Sequence, residues 1–148
     1  MTPGTFLFDR KFQFKDGEKG EKIFVILNNG DSGTYIAAKT TSKGDRYGIQ
    51  YGCQVLERFA NFYFVQGSCF LHKNTWVQLD AFFEFKSEKL MQKVIIGDIN
   101  QIGILQCTQA SELLMCASHS EDLSLAQEKI ILQTIESARE ASVGEAAC

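Results

Sequence analysis

All twelve Phe, all four Tyr and the one Trp lie between Phe6 and Phe85, and no aromatic side chain follows. Large rings suit pleated, half-buried surfaces, and folded domains segregate sheets and helices into layers, so this division predicts a β-rich body followed by a helical tail. Charge divides at nearly the same place. Up to Ser87 there are eleven basic and nine acidic side chains, and from Glu88 onward four basic and nine acidic. The net charge of -3 therefore averages a slightly basic body and an acidic tail, and it excludes a nucleic-acid binder of the strongly basic kind.

The 148 residues, with 45% hydrophobic and 22% charged side chains, fit one globular domain, read as residues 1–148. Its parts are a body over about 3–105, a helical segment over about 108–140 and a frayed tail at 141–148. Apolar runs stay far short of the roughly 20 residues that span a bilayer, and the first residues lack a basic stretch followed by an apolar one. No membrane association and no secretory signal are expected. Five cysteines (Cys53, Cys69, Cys107, Cys116 and Cys148) leave at least one thiol unpaired in a monomer, and the reading is a reduced, cytoplasmic setting.

Phe6, Phe8, Phe12 and Phe14 share a face if they lie on one uninterrupted strand, with Asp9 to Lys11 as a place to bend. Lys22 to Leu27 (KIFVIL) reads as a strand buried on both faces, Asn28 to Gly33 as a hairpin connection, and Thr34 to Thr41 as the returning strand. Residues 42–54, with Gly44, Gly48 and Gly52, read as a long loop and so as the first place to look for a site. Val55 to Phe59 is expected to make a helical turn, Phe62 to Val65 a strand, Cys69 to Leu79 one or two strands, and Val94 to Ile96 the end of the β region. Beyond Gly103 the period becomes helical, with Ser111 as N-cap of one helix and a Ser124 to Gln127 capping box opening another.

The order of these pieces is similar to that of the MazF/PemK-like toxins. Pro3-Gly4-Thr5-Phe6 resembles the family's Gly-led opening strand, and Phe14 to Gly17 followed by Glu21 to Leu27 resembles its loop and basic-residue strand. Ile36 to Lys43 resembles the strand ending in a Thr-Ser pair, here Thr41-Ser42. Lys73 to Asp80, with Leu90 and Ile96 to Ile99 after it, resembles the segment that leads into the last helix. The likeness spans roughly residues 3–120 and rests on collinearity.

The resemblance implies a mainly β fold, an SH3-like β-barrel of the MazF/PemK type with one or two C-terminal helices. It implies a toxin-like endoribonuclease that cuts single-stranded RNA without a metal or other cofactor, using the 2′-hydroxyl as nucleophile. It also implies a homodimer, and a small acidic antitoxin-like protein as partner. Lys22 stands at the family's Arg position and Ile23 where a Pro usually follows. Carried over, the catalytic candidates are Lys22, Thr41 and Ser42; the neighbouring loop adds Lys43, Arg46 and Tyr47 as RNA-binding candidates by its basic and aromatic character, and His72, the better placed of the two histidines, joins them. Lysine neutralises a phosphate as a point charge but lacks the two-pronged grip of guanidinium. That departure keeps a second reading open, a catalytically degraded barrel that binds protein or nucleic acid, phage or mobile-element encoded. Cys69-x-x-His72 and Cys116-x-x-His119 repeat one zinc-compatible spacing, but both cysteines fall in apolar runs where a thiol behaves as a small hydrophobe, so no metal is assigned.

Overall fold

Tight connections set the strand boundaries in the aromatic half of the chain. The computed structural model describes residues 1–144, in which strands β1 (Thr5–Gln13), β2 (Lys19–Ile26) and β3 (Thr34–Thr41) follow one another as an antiparallel meander. Between β2 and β3, Gly30 and Gly33 take positive φ, and Asn28 closes the connection by donating from Nδ2 to the Thr34 carbonyl and accepting the Ile36 amide on Oδ1. Short strands β4 (Gly52–Gln54), β5 (Asn61–Phe64), β6 (Thr75–Gln78) and β7 (Phe83–Lys86) come next, then helix α1 (Ser87–Ile95), β8 (Ile99–Ile104), α2 (Cys107–Ser118) and α3 (Leu125–Gly144).

The protein is mainly β. Among the described residues eight strands form one antiparallel sheet, in the order β4-β5-β6-β3-β2-β1-β8 with β7 beside β3 off this path, open between β4 and β8. β3 shares its second edge between two partners, Thr34 to Ala37 pairing with β7 and Thr40-Thr41 with β6. Val25 and Leu27 enter a core shared with α2 and α3, while Phe24 and Ile26 enter another against Leu90 of α1. This explains why KIFVIL is apolar without alternation. Among the described residues no helix is long and apolar enough to cross a membrane.

The structure departs from the sequence reading at several points. The pairing of β1 with β2 shifts register between Asp9 and Phe12, so Phe6 joins the first core and Phe12 the second instead of sharing a face. A bulge of this kind reverses side-chain parity. Val94-Ile95 end α1 rather than a strand, residues 55–59 form turns and bends without a helix, and 69–74 are irregular. Gln106, not Ser111, stands at the N-cap position of α2, with no side-chain cap hydrogen bond, and α3 runs through Gly144, past the start of the expected frayed tail at 141. The rest of that tail, 145–148, lies outside the described residues.

The Ser124–Gln127 capping box is formed in both directions, with backbone nitrogen to side-chain oxygen distances of 2.9 and 3.1 Å. Cys53 and Cys116 are joined as a disulfide across 63 residues, which differs from the reading of reduced thiols, and Cys69 is a free thiol. No local spacing announces that bond, because β4 and α2 meet only through the tertiary fold.

Candidate nucleic-acid site

β2 and β3 bring most of the sequence-derived candidates to one place. Phe24 lies opposite Lys39 in their ladder, and continuing that register sets Lys22 opposite Thr41. A cavity of about 680 Å³ opens there, lined by Lys22, Thr41, Ser42, Lys43 and His72 together with Phe8, Phe70 and Lys73. Five of the seven candidates thus share one space, although His72 arrives from the irregular segment before β6.

The hydroxyls fix the geometry of the strand end. Thr40 is buried and donates from Oγ1 to the Ile23 carbonyl at 3.0 Å, tying β3 to β2 beside Lys22. Thr41 bonds within its own loop instead. Its Oγ1 accepts the Lys43 amide at 3.1 Å, a side-chain turn that holds Lys43 at the cavity. Ser42 and His72 are exposed to solvent.

Electrostatics single out Lys22. Burial pushes its pKa below the ordinary 10.5, and the like charges of Lys39 and Lys43 push in the same direction. Lys39, whose ammonium sits 5.0 Å from the Phe83 ring centre, is lowered as well, by burial and by Lys15, with Asp80 opposing. Clustering half-buried cations disfavours the folded state unless an anion neutralises them. The cavity also offers aromatic surface from Phe8 and Phe70, and Glu21 is its acidic member. Such a site can hold a phosphate and give an adjoining base a ring to stack on. For proton transfer it has His72 and a lysine whose proton is more easily lost than usual.

Arg46 and Tyr47 are elsewhere. Tyr47 is buried, stacked on Trp76 at 6.1 Å between ring centres, and Arg46 lines a second cavity beside it. Trp76 itself is core, as its strand position implies, and is stacked on Tyr63 as well. Sequence reasoning does not reach Lys39, Phe8 or Phe70. Lys39 lies one residue before the Thr-Thr-Ser run, but its role emerges only from the register that sets it next to β2. The two Cys-x-x-His pairs do not meet at a metal site, since Cys116 is bonded to Cys53, and no group of three or more His, Cys, Asp or Glu among the described residues could hold a metal ion.

Compared with family models, curated proteins and solved structures, the chain matches none.

Proposed function

We propose that the protein is an endoribonuclease of the MazF/PemK type, binding single-stranded RNA at the Lys22 cavity and cutting it without a metal. The observation that carries this reading is the convergence of Lys22, Thr41, Ser42, Lys43 and His72 on one cavity whose cations repel one another. In the reaction the ribose 2′-hydroxyl attacks the neighbouring phosphorus and the 5′-oxygen leaves. A base accepts the hydroxyl proton, an acid returns one to the leaving oxygen, and cations stabilise the charge that accumulates on phosphorus oxygens. Lys22 and Lys43 would supply the charge, Thr41 a hydrogen bond, and His72 one of the proton transfers.

The same reading makes the open sheet a variant of the family's SH3-like barrel, supported by the collinear motifs and by the Thr-Ser pair standing at the end of β3. Homodimerisation, a small acidic partner and a cytoplasmic setting belong to it as well. Sedimentation at micromolar concentration checks the first of these, and a species of only 16.6 kDa would remove it.

The decisive experiment incubates single-stranded RNA with the wild type, Lys22→Ala, Lys22→Arg and Thr41→Ala in the presence of a chelator. Removing one group that stabilises the transition state is expected to slow cleavage on the order of a hundredfold, while Lys22→Arg, with its two-pronged grip, cuts at least as fast as the wild type. Cleavage that survives Lys22→Ala and Thr41→Ala unchanged ends the proposal. One observation favours a second reading, a barrel that binds RNA without cutting it: the Thr41 hydroxyl is already engaged by the Lys43 amide. RNA retained intact by the wild type, and released by Lys22→Ala, identifies that case.

A further inference from the structure

The loop after β3 is fixed to an aromatic stack, and this gives Arg46 a defined position. Tyr47, Trp76 and Tyr63 lie nearly parallel in succession, with interplanar angles of 21° and 17°. Trp76 donates from Nε1 to the Gly48 carbonyl at 2.8 Å, and Gln78 donates from Nε2 to the Tyr47 hydroxyl at 3.0 Å. The Gly44 backbone lies against the indole so closely that a Cβ there would clash with the Trp76 ring. Residues 44–48 are thus attached at both ends to the strand that pairs with β3.

Arg46 projects from this loop over the Phe59 ring, its guanidinium carbon 5.2 Å from the ring centre. Arg58 reaches the same ring, also at 5.2 Å. The Phe59 carbonyl accepts a 2.8 Å hydrogen bond from Nδ2 of buried Asn61, which steadies the ring's backbone. Arg46, Arg58 and Phe59 line a cavity of about 340 Å³, with Glu57 as its acidic member, and both arginines are exposed. Trp76 is the cross-strand partner of Thr41, which lines the first cavity, and Tyr47, stacked on Trp76, lines the second.

The geometry points to a second RNA subsite at Arg46, Arg58 and Phe59, which takes the part of the strand that flanks the phosphate held at Lys22. The inference rests on the reading of the Lys22 cavity as an RNA site. Guanidiniums stacked on a ring keep their N–H edges free for phosphate oxygens, and the stacking restricts them before RNA arrives.

The test measures binding of 2′-O-methyl RNA, which cannot be cut for want of a free 2′-hydroxyl, at two lengths. One is about ten nucleotides, inside the range of roughly 4–16 covered by small barrels, and the other is about three. Arg46→Ala with Arg58→Ala is expected to weaken the long RNA tenfold or more and the short one far less. The slope of log affinity against log salt for the long RNA should become shallower by about 1.4, because each phosphate left unneutralised on a single strand lowers it by roughly 0.7. Lys22→Ala should weaken both lengths. If Lys22→Ala weakens binding while the double arginine variant leaves affinity and slope unchanged, the flanking subsite is wrong and the Lys22 reading stands. An equal loss at both lengths from the arginine variant also overturns the flank assignment. Wild type that binds neither RNA overturns both.

Discussion

Lys22 is placed at some expense to the fold. Its charged form is disfavoured in the folded protein relative to an unfolded chain, where the ordinary value of 10.5 applies. The sign follows directly: the penalty is fully present at neutral pH and is relieved as pH rises through the lowered folded value toward 10.5. Lys22→Met should therefore leave the thermal midpoint the same or raise it by a few degrees, at about 2–4 °C per kcal/mol for a chain of this size, while weakening RNA binding. A clear fall in the midpoint on calorimetry would mean that Lys22 serves the fold instead. RNA affinity of the wild type should decline with pH before 10.5 is reached, because the cation that holds the phosphate is being neutralised. Gly44 makes the opposite kind of residue-level case. Gly44→Ala forces a Cβ into the Trp76 ring, and overpacking of this sort costs about 1–3 kcal/mol. Denaturant unfolding reads the loss, and a variant as stable as the wild type would show that the loop is not held against the indole.

The elements whose signals are local are legible in the sequence, and those whose signals are tertiary are not. Asn28 to Gly33 carry their own turn chemistry, and Ser124 with Gln127 carry their own cap. Ser124→Ala should accordingly cost about 1 kcal/mol, measurable by urea unfolding, and no change would mean that packing of Ile131 alone sets the start of α3. Helix α1 is hard to see in the sequence because it follows β7 without a break and its N-cap, Lys86, has no side-chain cap hydrogen bond. Its end, Val94-Ile95, looks like a strand when taken without the helical spacing from Leu90. In β1 the alternation of Phe is real, but the bulge that reverses it is set by pairing with β2. The candidate site divides in the same way. Lys22 and Thr41-Ser42 come from a collinear resemblance, and the ladder of β2 with β3 sets their strands side by side. Sequence proximity groups Arg46 and Tyr47 with them, whereas the Trp76 stack draws their loop to a separate cavity.

On the scale of the molecule, the sheet is held unevenly. β1, β2 and β3 lie between two cores, whereas β4 is a three-residue edge strand joined to its neighbour at three positions. The Cys53–Cys116 bond ties that edge to α2, which packs in the first core through Leu113, Leu114 and Ala117. A cross-link over 63 residues contributes on the order of 2–4 kcal/mol, mostly by restricting the unfolded chain. Its native-state effect should be local, since β4 is joined to the sheet only through its three pairs with β5. Cys53 is exposed, so Cys53→Ser removes the bond with little loss of packing. Hydrogen exchange should then quicken over residues 49–58, where β4 and the segment carrying Arg58 lie, and remain slow in β2 and β3. The Lys22 cavity, which no residue of β4 lines, should keep its affinity for short RNA while the Arg46 and Arg58 subsite loosens. Faster exchange spread evenly through β1, β2 and β3 would refute this division, because it would make the disulfide a support of the whole sheet and not a tether for its edge.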